Sequence, residues 1–431
     1  MTQPAESKTY PNMLESLAAW AMAFEYFAFY ITDKNNFYCA IGASRHLVLT
    51  ETQGAFEKLE IFQTSSHSRI AGYLGYDLKN DLENLHSKNP DDLEMPVAVF
   101  FEPEIWIFCE KGNLRFVCDS GELIARARNA AHHHPPQRNL NPRIQRELVA
   151  KTSREKYLEN VHSLQNHLRL GDIYEANYCI QFARKATDFQ PLESFLKLRE
   201  ITEAPFSVFA RMDQFYVLCA SPERFLKNSG GRLLSQPIKG TIRRSKDPIV
   251  DLSLQNQLRD DPKEQSENVM IVDLVRNDLS RVAAKGSVKV DELFGMYAFM
   301  TVHHMISSIS AELDSEKTSW DAIKVCFPMG SMTGAPKIRA MELIESHENF
   351  KRGAYSGGFG WMDPNGDFDF NVMIRALFYN AASQQIGFSV GSAITVQASA
   401  EKEYEECLLK AEALTQALQT KTSADEVVRL F

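Results

Sequence analysis

The apolar positions along the chain fall into two regimes. Residues 14–30, LESLAAWAMAFEYFAFY, are apolar on nearly every side, and the pattern predicts a largely buried helix. VAVFF (97–101) and IWIFCE (105–110) are short apolar runs that predict buried strands. From about residue 150, long helical patterns alternate with strand pairs. YLENVHSLQNHLRLGD predicts a helix closed by Gly171. Residues 261–285 predict another, opened by Asp-Pro and closed by Gly286. KIRAMELIESHE predicts a third, with Pro336 suited to its first turn. QFYVLCASPERFL predicts a strand running into a polar turn, and GRLLSQPIKGTIRR two strand pieces around Lys239. FDFNVMIRALFY and QQIGFSVGSAITV predict strands, and AEKEYEECLLKAEALTQAL a final helix. Antiparallel strand pairs with helices grouped between them predict an α+β fold.

AHHHPPQRNLNPR (131–143) is rich in turn formers and predicts a linker or long surface loop. It separates residues 1–145, with mixed signals, from a more regular region, 150–424. Its adjacent histidines have no partner motif and are expected to be solvated. The net charge of −9 argues against a nucleic-acid partner, which needs a basic face. No apolar run reaches the ~20 residues that span a bilayer. The first residues show no basic start followed by an apolar block. Seven scattered cysteines without a C-x-x-C suit reduced thiols and a cytoplasmic location.

Two carboxylate pairs stand out. Glu264 and Glu267, and Glu403 and Glu406, are each three apart on a predicted helix. Residues at that spacing share a face. Four carboxylates converging would require a cation, and oxygen-only ligation favours Mg²⁺; apart, they are solvated helix faces. Glu223, in SPERF, follows an apolar strand. Partly buried, it would stay protonated and act as a general acid; exposed, it is a turn residue. FPMGSMTGAPK (327–337) is a glycine-punctuated loop entering a helix, where free amides attract anions. DPNGD (363–367) begins like a calcium loop, but its twelfth position is Ile374; a hairpin turn fits better. Arg375, in an apolar strand, needs an anion. Lys239 is by spacing alone a lysine on a turn. As a nucleophile it would need burial or a cationic neighbour to lower its pKa, because about one lysine in 2,500 is neutral at pH 7.

Taken together, SPERF, PIKGT, SENVMIVDLVRNDLSRVA, HHMISS, FPMGSMTGAPKIRAMELI, RGAYSGGFG, FDFNVMIRAL and EYEECLLKAEAL, in this order over residues 155–420, resemble the chorismate-utilising enzymes. GYLGYDL (72–78) resembles their amino-transferring members. The resemblance implies a four-layer αββα sandwich, two β-sheets face to face with helices outside and the site in the cleft between them. Lysine at position 239, where anthranilate-forming members typically carry alanine, implies the branch that aminates C4 for p-aminobenzoate and folate synthesis. Lys239 would add to C2 of chorismate, Glu223 would protonate the departing 4-hydroxyl, and ammonia would add at C4. Glu267 and Glu406 would ligate Mg²⁺, with Glu264 and Glu403 completing the shell. Arg375, Tyr355, Gly391 and Lys410 would hold the enolpyruvyl carboxylate. Ser331, His304 and Thr241 would line the ring pocket.

No glutaminase segment is apparent, so the resemblance implies a separate glutamine amidotransferase subunit and a third enzyme that eliminates pyruvate. The alternatives are anthranilate formation, isochorismate or salicylate formation, and a catalytically inactive binding relative. Two positions depart from the pattern. Glu175 stands where the aminating branch usually has glutamine and water-adding members a lysine. Gly391-Ser392-Ala393-Ile394-Thr395 replaces a richer glycine run. Residues 14–16, LES, resemble a tryptophan-binding stretch of relatives, but no regulation follows from them.

Overall fold

The computed structural model describes residues 12–33, 35–132, 148–299 and 302–419. Most of the expected linker, residues 133–143, lies outside the described residues. The described residues form two antiparallel sheets, one of eleven strands and one of ten. Early strands enter both. Tyr26–Asp33 pairs with Phe206–Met212 in the first sheet, and Ile70–Leu74 pairs with Gly358–Met362 in the second.

The layering follows from side-chain alternation along Tyr26–Asp33. Phe27, Phe29 and Ile31 pack into one core with the helices Met13–Ala21, Gly121–His132, Arg154–Leu170, Pro191–Thr202 and Ala400–Ala417. Tyr26, Ala28 and Tyr30 point the other way, into a core shared with the second sheet. That sheet is covered by Ala55–Thr64, Pro262–Ser280 and Ser319–Cys326. Across the gap the Tyr30 hydroxyl donates to the Gly360 carbonyl. Trp361 Nε1 donates to Tyr38 Oη at 2.8 Å, and Asn371 Nδ2 to the Phe206 carbonyl at 3.0 Å. The fold is therefore α+β, in four layers.

Three expectations need correction. The helix expected over 14–30 ends at Ala21, and Tyr26–Asp33 is a strand. Both faces of that strand are covered at Tyr26 to Ile31, so the alternation that marks a strand is invisible in its sequence. The single strand expected over 368–379 is two, Phe368–Asn371 in the second sheet and Ala376–Asn380 in the first. Lys239 lies inside Ile238–Arg243, not between two pieces; the break falls at Pro237. DPNGD does form the turn joining Gly358–Met362 to Phe368–Asn371.

Candidate active site

The chain crosses from the first sheet to the second between Phe215–Ser221 and Arg224–Ser229, and crosses back at 372–375. The two crossings touch, since the Val372 amide donates to the Glu223 carbonyl at 3.0 Å. They deliver Glu223 and Arg375 to one end of the cleft. Glu223 is buried, and Ser331 Oγ donates to its Oε1 at 2.7 Å. Burial pushes its carboxyl up to about 7, with Ser331 and Lys239 pulling the other way. A carboxyl near neutrality is suited to giving up a proton.

Lys239 reaches the cleft because the register of Ile238–Arg243 against Val302–Glu312 slips between Ile238 and Thr241. Gly240 sits at the slip with φ +85°, where any side chain is strained. Lys239 Nζ donates to Glu175 Oε1 at 2.6 Å and lies 3.9 Å from Glu267 Oε2. Burial lowers the ammonium pKa, but Glu175 and Glu267 more than offset this and hold it above the usual lysine value. The neighbours of Lys239 are thus anionic, contrary to the cationic neighbour that a depressed pKa would need. Arg243 and Arg244 are turned away, to Glu412 at 3.2 Å and Asp251 at 2.9 Å. Thr241 is directly opposite His304, and Oγ1 meets Nδ1 at 2.9 Å. Burial, then the Arg375 charge, pulls His304 down to about 4, so its imidazole is neutral at pH 7.

The loop 330–335 is laced to the strand Glu175–Lys185. The Tyr174 amide donates to the Ala335 carbonyl at 2.6 Å, and the Asn177 amide to the Thr333 carbonyl at 2.8 Å. Asn177 Nδ2 donates to the Ser331 carbonyl at 2.8 Å. The contact is close enough that a Cβ at Gly334 would stand 2.1 Å from the Glu175 carbonyl oxygen. The glycines of FPMGSMTGAPK therefore serve close packing that places Ser331 on Glu223. Fully buried Arg352 ties both pieces, donating to the Met332 and Asn177 carbonyls at 2.7 Å each.

The two carboxylate pairs converge from Pro262–Ser280 and Ala400–Ala417. Burial, then mutual repulsion, raises Glu264 to about 7 and also raises Glu403. Glu267 is raised by burial against the pull of Lys239. Glu406 is held low despite burial, because Lys410 pairs with it at 2.6 Å. Lys263, which spacing did not single out, stands 3.6 Å from both Glu267 and Glu403. It is legible only as an i,i+4 partner of Glu267. Among the described residues no three metal-ligating side chains stand close enough to hold an ion as they are. The donor set is nevertheless all oxygen, and Glu267 Oε1 is buried without a hydrogen-bond partner. By donor chemistry these residues fit Mg²⁺, with the Lys263 ammonium now balancing the charge.

Arg375 holds a left-handed backbone, φ 53°, and its Nη1 donates weakly to the Lys410 carbonyl at 3.5 Å. Burial lowers its pKa, opposed by Tyr355 and Glu406. No protein carboxylate pairs with it among the described residues at salt-bridge distance, which leaves it available to a ligand anion. Lys410 Nζ also donates to the Gly391 carbonyl at 2.8 Å. Tyr355 is buried, with Cys179 Sγ 4.0 Å from its hydroxyl.

A cleft with an acid poised near neutrality, a buried lysine and converging carboxylates defines an enzyme site. The family model for chorismate binding enzymes matches residues 20–416, and the chain belongs to that family. It is 34% identical over 350 residues to aminodeoxychorismate synthase component 1 of Escherichia coli, covering 81% of this chain and 76% of the relative. It is 35% identical over 361 residues to anthranilate synthase component 1 of Thermus thermophilus, covering 81% and 77%. The crystal structure of anthranilate synthase component I from Streptococcus pneumoniae superposes with a TM-score of 0.78 at 23% identity. It covers 96% of this chain and 100% of that one.

Proposed function

We propose that the enzyme aminates chorismate at C4, giving 4-amino-4-deoxychorismate through a covalent bond from Lys239 to C2. Overall identity to aminating and anthranilate-forming relatives is nearly equal, 34% against 35%. The observation that carries the reading is Lys239 itself, a buried lysine bent by a bulge into the cleft that also holds Glu223. Lys239 gives up one proton to solvent and adds to C2 while Glu223 protonates the 4-hydroxyl, which departs as water. The new C2–N ammonium then returns a proton to the Glu223 carboxylate, leaving a neutral secondary amine. Arg375, with Tyr355, takes the enolpyruvyl carboxylate, and Lys410 tightens the wall through Gly391. Neutral His304, held by Thr241, lines the ring pocket without adding charge. Glu267 and Glu406, with Glu264 and Glu403, would hold Mg²⁺, whose charge would neutralise the ring carboxylate. The "component 1" in the relatives' names supports a separate partner that supplies ammonia from glutamine. Product analysis with chorismate, Mg²⁺ and ammonium, with and without a pyruvate-eliminating lyase, tests the assignment. 4-Amino-4-deoxychorismate is expected, converted to p-aminobenzoate by the lyase. Anthranilate as the product, or isochorismate without ammonium, refutes it.

A further inference from the structure

Arg352 turns all of its donors inward. Its side chain is 0% exposed and that of Glu348 3%. A guanidinium so placed is costly to bury unless every N–H finds a partner, and here each one does. Nε donates to Glu348 Oε2 at 2.9 Å, and Nη2 to Glu348 Oε1 at 2.6 Å. The remaining donors meet the Met332 carbonyl at 2.7 Å, the Asn177 carbonyl at 2.7 Å and Ser356 Oγ at 3.3 Å. The Tyr76 ring centroid lies 4.6 Å from Cζ. Glu348 Oε1 also accepts from the Cys179 amide at 3.0 Å. The pair therefore grips the loop 330–335 and the start of Glu175–Lys185 together. Apolar side chains of the same volume would fill this site without the desolvation cost, so what the planar fork supplies is position.

Two successive carbonyls of the loop are held from one side. Asn177 Nδ2 donates to that of Ser331 at 2.8 Å, and Arg352 Nη1 to that of Met332. Asn177 is itself fixed by its own carbonyl on Arg352 Nη2. Between them these contacts set the Ser331 hydroxyl, 2.7 Å from Glu223 Oε1. We infer that Arg352 is a positioning residue for the acid: together with Asn177 it holds the Ser331 hydroxyl on the Glu223 carboxyl. The inference rests on Glu223 being the general acid, as proposed above. Donation from Ser331 favours the ionised carboxyl and opposes burial. Without it the carboxyl keeps its proton to higher pH and releases it less readily. Other charges face Glu223. Lys239 pulls in the same direction as Ser331. Asp278, paired with Lys337 at 2.6 Å, and Arg224, paired with Asp369 at 2.9 Å, line the same small cavity as Glu223. Arg352 also grips the strand that carries Glu175, the partner of Lys239, so two routes lead from it to Glu223.

The test is the pH profile of kcat for 4-amino-4-deoxychorismate formation at saturating chorismate, Mg²⁺ and ammonium. It compares wild type, Ser331→Ala, Arg352→Lys and the double variant, with circular dichroism and urea midpoints as the record of folding. Lysine keeps the charge but not the planar fork. Ser331→Ala is expected to move the alkaline limb up by about one pH unit, the scale of one hydrogen bond to a charged group. Arg352→Lys is expected to move it by a similar amount, and the double variant no further than Ser331→Ala alone. A purely structural role would lower the folded fraction and leave the limb where it is. An unmoved limb in a folded Arg352→Lys therefore overturns the inference and leaves the acid standing. A limb that moves as far again when Arg352→Lys is added to Ser331→Ala also overturns it, because the route then runs through Lys239. Wild-type turnover in Glu223→Gln removes the acid and the inference with it. If Arg352→Lys does not fold, Asn177→Ala, which cuts the same hold next to Ser331, takes its place in the cycle. It is expected to move the limb up by about one pH unit, and an unmoved limb there overturns the inference equally.

Discussion

Replacing Glu223 by glutamine should make the enzyme inactive and, above neutral pH, more stable. The side chain is buried, and its carboxyl is raised from 4.5 to about 7, chiefly by burial. That rise corresponds to about 3 kcal/mol favouring the protonated form in the folded state. A group raised in this direction contributes fully below its unfolded pKa and loses its contribution as pH climbs through the folded value. The window is therefore 4.5 to about 7. Glutamine has the same shape, still accepts from Ser331 Oγ and never ionises. Glu223→Gln should match wild type below pH 4.5 and exceed it by about 3 kcal/mol at pH values well above 7, where the folded carboxyl is ionised. For a chain of this size that is roughly 3–4 °C in Tm. Amination should fall by about 10²–10⁴-fold, the range for a lost general acid. Melting curves of both proteins across the pH range, with product assays alongside, test this. A Tm difference independent of pH, or a variant less stable than wild type in alkali, refutes the burial of an ionising carboxylate at this position. Retained turnover refutes its role as the acid.

Further outcomes follow from the same geometry. Lys239→Ala should abolish both amination and the adduct seen by mass spectrometry; wild-type turnover in that variant rules out covalent catalysis. Glu267→Gln and excess chelator should each remove Mg²⁺-dependent activity, and full activity in chelator sinks the metal assignment. Gly334→Ala forces a Cβ to within 2.1 Å of the Glu175 carbonyl and adds a side chain at φ +151°. It should destabilise the fold by about 1–3 kcal/mol and lower kcat by displacing Ser331. A urea midpoint equal to wild type contradicts the close approach.

Much of the site was legible because its motifs are local. SPERF and PIKGT each place a reactive group beside the backbone feature that aims it, a crossing for Glu223 and a glycine bulge for Lys239. The Glu264/Glu267 and Glu403/Glu406 spacings put both pairs on helix faces that do converge. Glu175 was visible only as an oddity, since its partner is 64 positions away. Lys263 was missed because an i,i+4 ion pair is ordinary on a helix. The early strand was misread because a segment covered on both faces shows no period.

Local sequence carried the α+β class, the helices Arg154–Leu170, Lys337–His347 and Ala400–Ala417 to within a few residues, the family resemblance and the cast of reactive groups. These rest on propensity, capping and short spacings that act within a few residues. Tertiary structure alone decided which sheet each strand joined and where the chain crossed between them. It also decided the protonation of the groups in the cleft. Lys239 became a charged lysine between carboxylates, and Glu223 an acid near neutrality, because burial and distant partners set those energies. Neither is encoded in the neighbouring residues.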